Sequence, residues 1–171
     1  MAVLESIERW QFLGGEFLIW LWRQSELADG KIEVPGVDDL ELRIGGNLVF
    51  EGESEDARKI QLQGENTGRA AEAKAALYEN KLVRKAVFLF RLDGADWKAT
   101  LDANNFTISS MSIPAPTSGM HFNDSSAIRL ELLERFTDAF EKLYQRFLEL
   151  RLNDAAWDKQ IADIKQWISG K

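Results

Sequence analysis

The chain has 171 residues, of which 45% are hydrophobic, a formal net charge of −7 and no cysteine. This length and composition predict one folded domain with a sizeable core, and the lack of cysteine excludes disulfides, thiolate metal sites and cysteine nucleophiles. The acidic balance argues against indiscriminate nucleic-acid binding, and since "MAVLESIERW" lacks the pattern of a signal peptide, we expect a cytoplasmic protein.

The charges are distributed unevenly along the chain. Residues 1–56 hold 13 acidic and 4 basic residues, a net charge of −9, whereas residues 57–171 carry a net charge of +2. Local basic patches in this second region can bind phosphate even within an acidic protein.

Residues 1–28 predict a helix, from about residue 4 to residue 27, that is apolar around most of its circumference. Its most apolar run, residues 17–22, is far shorter than the roughly 20 residues that cross a membrane. Gly14 and Gly15 each cost about 1 kcal/mol of helix stability relative to Ala, which predicts a bend or the close approach of another backbone. We expect a helix buried in a core or an interface, with a ligand pocket as the alternative.

Residues 38–113 predict an antiparallel sheet of about six strands with an inserted helix. "LELRI" and "LVFEGE" each alternate apolar and polar residues, and the "GGN" between them predicts a tight hairpin. "ARKIQLQG" predicts a third strand, and the alanine-rich region 66–80 predicts a short helix.

The longest predicted strand, "LVRKAVFLFRL", has apolar residues at both parities in its second half. This pattern predicts a central strand that is covered on both faces. "WKATLD" and "FTISSMSI" return after turn sequences, so the three strands form a meander.

Residues 125–168 predict a pair of C-terminal helices. The segment "PAPTSGMHFNDSS" predicts a loop, and Ser125 or Ser126 is a suitable N-cap for the long helix that follows. A final helix is expected from Asp154 to Ile168. The whole chain, residues 1–171, is therefore predicted to form a single α+β domain.

The sequence offers no constellation typical of catalysis. His121, the one histidine, lies in the proline-rich loop without the partners that a metal site or a nucleophile relay requires. Asp93, Asp96 and Asp102 are near one hairpin and could bind a divalent ion, but aspartates at such positions are more often turn residues. We expect no enzymatic activity, no metal and no cofactor.

Basic residues are concentrated at the predicted strands. They are Arg58 and Lys59, then Lys81, Arg84 and Lys85, and finally Arg91 and Lys98. If the strands are neighbours, these side chains line one surface that suits phosphates; the alternative is an ordinary solvated face of the sheet.

The order of the segments "WLWRQSE", "LELRIGGNLVF", "ARKIQL", "NKLVRKAVFLFRLDGADWKATLDANNFTISSMSI" and "RFTDAFEKL" resembles the C-terminal half of the recombination-associated RdgC family. The resemblance covers about residues 16–150. It implies a non-enzymatic protein of the nucleoid that forms a ring-shaped dimer around DNA without strong sequence preference. Positions that match basic residues of the family pattern are Arg58, Lys59, Lys81 and Lys85, and the resemblance implies that they contact phosphates.

Two departures from the family predict a partner. The N-terminal half that forms part of the ring is not matched, and the helix from Asp154 to Ile168 lies outside the pattern. We therefore expect a second copy, or a chain that supplies the missing half, to cover Phe17, Trp20 and Trp22 on the apolar helix.

A different class of function is also compatible with the sequence. The acidic first third and the long C-terminal helix suit a protein-interaction or scaffold subunit that does not contact DNA. Salt-dependent DNA binding separates the two hypotheses, because phosphate contacts weaken steeply as salt rises.

Overall fold

The structure is a computed structural model that describes most of the chain. The described residues are 2–52, 59–65, 67–69, 71–79, 81–114 and 122–170, and side chains are described for these residues except in 2–13 and 122–125. The predicted α+β fold is confirmed: an antiparallel sheet packs with an N-terminal helix, a short middle helix and a pair of C-terminal helices.

The described part of the chain forms five strands and four α-helices. The strands are β1 (Glu41–Glu51), β2 (Ile60–Gln63), β3 (Leu82–Leu92), β4 (Ala95–Asp102) and β5 (Thr107–Ser112), in the spatial order β2-β1-β3-β4-β5 with every pair antiparallel. The helices are α1 (Ala2–Glu26), α2 (Ala71–Tyr78), α3 (Phe122–Arg151) and α4 (Asp154–Ser169). Two 3₁₀ turns, Ala28–Gly30 and Thr67–Arg69, precede β1 and α2.

The predicted hairpin at "GGN" is wrong, because β1 runs straight through it. Ile44 pairs with Phe88 and Leu48 pairs with Ala86, so three residues of β1 lie opposite one residue of β3. The extra residues form a bulge, which inserts residues in one strand and bends it without reversing it. A Cβ on Gly45 would lie 2.7 Å from the Val87 side chain, so the glycine there permits close packing and does not form a turn. The sheet consequently has five strands, one fewer than expected.

The described helices pack against one face of the sheet, which we call the covered face. Its side chains, among them Leu42, Phe50, Phe88 and Trp97, belong to one hydrophobic cluster with residues of the helices. On the opposite, open face, Leu89 is 42% exposed. The prediction that β3 is covered on both faces in its second half therefore fails at Leu89, although Val87 on the same face is buried.

The apolar helix α1 lies between the sheet and α3. The ring of Phe17 packs in edge-on or tilted contacts among three aromatic rings of α3, with centroid distances of 5.9 Å to Phe140, 5.0 Å to Tyr144 and 5.1 Å to Phe147. A Cβ on Gly14 would lie 2.3 Å from the carbonyl oxygen of Ala103 at the β4–β5 turn. The close backbone approach expected from the paired glycines is thus confirmed at Gly14.

Helix α4 runs alongside α1 in the same direction. The contacts between α1 and the C-terminal pair, in chain order, are Glu16 with Arg151 at 2.7 Å, Arg23 with Asp163 at 3.4 Å and Glu26 with Trp167 at 2.7 Å. Because the partners advance together along both segments, the two helices are parallel. None of the described helices combines the length and the apolar character that a membrane span requires.

The long helix α3 begins earlier than predicted, at Phe122, so Ser125 and Ser126 lie inside it and neither is its N-cap. Helix α4 begins with a side-chain cap, because the Oδ1 atom of Asn153 accepts a hydrogen bond from the Ala156 amide at 3.1 Å. This cap separates the two helices at the predicted position. His121 lies outside the described residues.

Candidate nucleic-acid interface

The strand register brings three of the four predicted DNA-contacting residues to one end of the sheet. The last residues of β1 pair with the first residues of both β2 and β3. Lys59 directly precedes β2, Lys81 directly precedes β3, and Lys85 is the fourth residue of β3. We call this region the lysine end of the sheet. Arg58, the fourth predicted residue, lies outside the described residues.

Carboxylates compensate much of the charge at the lysine end. The Lys81 Nζ atom lies 2.6 Å from a carboxylate oxygen of Glu79, and the Lys85 Nζ atom lies 3.4 Å from one of Asp102. The hydrogen bond from Lys81, followed by its charge, lowers the pKa of Glu79. Among the described residues, Lys59 has no ion-pair partner. Lys59 is therefore the lysine at this end that can bind a phosphate without first breaking an ion pair with a carboxylate among the described residues.

The three aspartates near the β3–β4 hairpin each pair with a cation. Asp93 accepts from Arg135, Asp96 accepts from the Arg91 Nε atom at 2.8 Å, and Asp102 pairs with Lys85. No group of three or more potential metal ligands occurs among the described residues. These aspartates act as counterions within the fold, and Asp102 also accepts from the Asn104 amide, as a turn residue does.

The residues predicted to meet a partner are in the core. Phe17, Trp20 and Trp22 are 1%, 2% and 0% exposed within a single chain. Helix α3 covers Phe17 and Trp20, and α4 covers Trp22, whose ring meets that of Trp167 at a centroid distance of 5.0 Å. In this fold the three side chains offer no surface to a second protein, because the chain's own C-terminal helices occupy it.

A polar cluster that sequence patterns did not indicate joins α1, α2 and α4. The carboxylate of Glu26 accepts hydrogen bonds from the indole nitrogens of Trp22 and Trp167, at 3.1 and 2.7 Å, and from Lys74 at 2.9 Å. The Lys74 Nζ atom also lies 4.8 Å from the centroid of the Trp167 ring. The donors come from three helices that are far apart in the sequence, so no local spacing reveals the cluster. Its role is to bind the helices together.

A cleft of about 690 Å³ opens beside the bulge in β1. Arg43 and Arg69 line it together with the backbone of four glycines, and neither arginine is ion-paired within the described residues. Glu26, Asp29 and Glu65 line the same cleft, so its carboxylates outnumber its two arginines and give it no preference for an anion. Sequence alternation placed Arg43 on a strand, but no signal indicated that the bulge would form a cleft next to it.

No known family model matches this chain, and no curated protein matches it either. The resemblance to the RdgC family, and the functions that it implies, therefore stay predictions.

Proposed function

We propose that the chain is a non-enzymatic, RdgC-like DNA-binding protein whose lysine end contacts the phosphate backbone. The observation that supports this proposal is the strand register, which brings Lys59 at the start of β2, and Lys81 and Lys85 at the start of β3, to the same end of the sheet on either side of β1. Contacts to phosphates need charge and position but no base-specific geometry. Binding without sequence preference follows from such a surface.

The ion pairs at the lysine end set the expected strength of binding. Phosphates must compete with Glu79 for Lys81 and with Asp102 for Lys85, and the chain as a whole is acidic. Surface pairs of this kind contribute about 0–1 kcal/mol each, so a polyanion can displace them. We expect weak binding at low salt that decreases steeply as salt rises.

The test is fluorescence anisotropy of a labelled duplex, and of a single strand, titrated with the protein at 50 and 200 mM salt. Three phosphate contacts predict a logarithmic slope of about −2.7, which corresponds to a loss of about 40-fold in affinity over this range. Substitution of Lys59, Lys81 and Lys85 by alanine should weaken binding to all sequences alike and reduce the slope to near zero.

A matched control changes the same net charge elsewhere. Lys31, Lys159 and Lys165 are exposed and form no ion pair among the described residues, so their triple alanine variant should retain the affinity and most of the slope. Equal losses in the two triple variants would show that only the total charge matters and would contradict a binding surface at the lysine end. Absence of binding at 50 mM salt would contradict the DNA proposal itself.

A second candidate is a protein-interaction subunit that does not contact DNA. It is favoured by the compensated charges at the lysine end and by the first half of α3, where Leu130 and Leu133 are 60% and 37% exposed. Exposed apolar side chains close together on a surface are typical of protein-binding sites. Unchanged association with a protein partner in the triple variant of the lysine end, together with no DNA binding by the unaltered chain, would favour this candidate.

A further inference from the structure

The cleft of about 690 Å³ lies in a gap in the strand pairing along the edge of β1. On the side away from β3, β2 pairs with β1 only over residues 47–50, and an isolated bridge joins Lys31 to Glu41. Between these two pairings, residues 43–46 of β1 line the cleft. The cleft therefore follows a strand edge, and its volume is within the range of about 300–1,000 Å³ that is typical of small-molecule sites.

Charged residues of both signs line the cleft from different elements. Arg43 pairs with Leu89 on the open face, whereas Asp29 lies in the 3₁₀ turn that follows α1, on the helical side. Glu65 and Arg69 belong to the connection between β2 and α2. These four charged residues are exposed, and none forms an ion pair among the described residues. Each of the two cations is therefore more than 4.0 Å from both of these carboxylates.

The third carboxylate of the cleft is already bonded within the fold. Glu26 accepts hydrogen bonds from two indoles and from Lys74, whose ammonium compensates its charge. The unpaired groups are thus two carboxylates and two guanidinium groups, which together favour a ligand that carries a positive and a negative charge at a distance from each other. The four glycines of the lining allow such a ligand to approach the backbone closely.

We propose that this cleft binds a short peptide with free termini, whose carboxylate meets Arg43 and whose amino group meets Asp29. An extended peptide suits a strand edge, and its charged ends are separated, as these two side chains are. The proposal goes beyond the DNA contact and does not depend on it, because no residue of the lysine end lines the cleft. Since exposed ion pairs are weak, the expected dissociation constant is on the order of 1 mM.

Titration of the ¹⁵N-labelled chain with triglycine, followed by NMR, tests the class of ligand. N-acetylated triglycine and C-amidated triglycine should each bind about fivefold more weakly than triglycine, because each lacks one of the two charges. Free glycine should also bind more weakly, since its charges are too close together to reach both side chains. No binding at about 20 mM triglycine, or equal affinities of the free and the capped peptides, would overturn the proposal.

The indole N–H group of Trp22 reports whether the peptide lies in the cleft. This group donates to the Glu26 carboxylate at 3.1 Å and to the Gly68 carbonyl oxygen at 3.0 Å, and both acceptor residues line the cleft. Trp97, which packs against Phe136 of α3, supplies the reference. Triglycine should shift the indole resonance of Trp22 and leave that of Trp97 unchanged. A shift of neither resonance, or equal shifts of both, would contradict binding in the cleft.

Single substitutions test the orientation of the peptide. Arg43→Gln should abolish the preference for triglycine over its C-amidated form, and Asp29→Asn should abolish the preference over the N-acetylated form. Asparagine tolerates the φ of 57° at position 29, so this change keeps the turn.

Matched controls change exposed charges elsewhere. Arg129 and Asp158 are exposed and form no ion pair among the described residues, so Arg129→Gln and Asp158→Asn should keep both preferences. Preferences that survive in the variants of Arg43 and Asp29, or that are lost equally in the controls, would overturn the proposal. Circular dichroism establishes that each variant is folded.

Discussion

The two faces of the sheet are held by different kinds of contact. On the covered face, the Phe136 ring of α3 lies 5.3 Å from the rings of both Phe90 and Trp97, measured between centroids. On the open face, neighbouring strands are joined by ion pairs such as Arg91 with Asp96 at 2.8 Å. The covered face is an aromatic interior, whereas the open face is a network of exposed charges.

This difference indicates which layer stabilises the fold. Burial contributes about 25 cal/mol for each Å² of apolar surface, so large rings on the covered face supply most of the stability. Exposed ion pairs contribute about 0–1 kcal/mol each. The open face can therefore change its charges, and its ligands, at little cost to folding.

The sharpest test of the comparison uses two adjacent residues of β3. Phe88 is fully buried on the covered face, so Phe88→Ala should lower the free energy of unfolding by about 3–5 kcal/mol. Leu89 points to the open face, and Leu89→Ala should change the free energy of unfolding by no more than about 0.5 kcal/mol. Urea unfolding followed by tryptophan fluorescence measures both. Similar losses of unfolding free energy in the two variants would mean that the open face is also covered.

A second test concerns how α1 sits on the covered face. Gly14→Ala should cost about 1–3 kcal/mol, because its methyl group would overlap the backbone at Ala103. At Gly15 the nearest atom to an added Cβ, the Val83 carbonyl oxygen, is 3.7 Å away. Gly15→Ala should therefore raise the free energy of unfolding by about 0.5–1 kcal/mol, since alanine favours the helix. Thermal unfolding of the two variants should shift in opposite directions, and shifts of the same sign would refute this packing.

A third test concerns the polar cluster at the edge of the helical layer. Glu26→Ala removes the acceptor for the indole of Trp167 and should cost about 1–2 kcal/mol, whereas the indole of Trp22 keeps the Gly68 carbonyl oxygen as an acceptor at 3.0 Å. Glu26→Gln keeps an oxygen acceptor and should cost less. Urea unfolding measures the free energy of unfolding of both variants. If both values equal that of the unaltered chain, the cluster adds nothing to stability.

The smallest effect is expected on the open face, at Asp96. The hydrogen bond and charge of Arg91 lower the pKa of Asp96 in the folded state. Such a lowered pKa gives stability that is present above the unfolded value, near 3.8, and is lost as pH falls through the folded pKa. A small stability difference between Asp96→Asn and the unaltered chain should thus exist at pH 7 and disappear in acid below pH 3.8. Urea unfolding across this pH range measures it, and a difference that grows in acid would contradict the assignment.

Alternation and helical spacing predicted most of the elements but not the bulge in β1. Leu42 and Phe50 lie on the covered face as their alternation indicates. The "GGN" sequence has the residues of a hairpin turn, and only the packing of Gly45 against Val87 makes it part of a strand. That contact joins two segments about forty residues apart, so it leaves no local signal.

The candidate site was also predictable only in part, because some of its contacts join segments that are distant in the sequence. Strand periodicity located Lys59, Lys81 and Lys85 at the beginnings of strands, and the register then brought them to one end. The carboxylate partner of Lys85, Asp102, depends on which strands are neighbours, which the sequence left open, whereas Glu79 is only two residues from Lys81. The apolar character of α1 predicted burial, but it did not reveal that α4 of the same chain covers Trp22.

The parallel association of α1 and α4 has a consequence for biosynthesis. The hydrogen bond between Glu26 and Trp167 joins residues 141 positions apart, so the apolar helix α1 emerges from the ribosome long before α4, which covers part of it. Contacts of such long range slow folding, and exposed apolar surface in incomplete chains promotes aggregation. During translation, the side of α1 that α4 covers therefore stays uncovered by that helix until α4 has been synthesised.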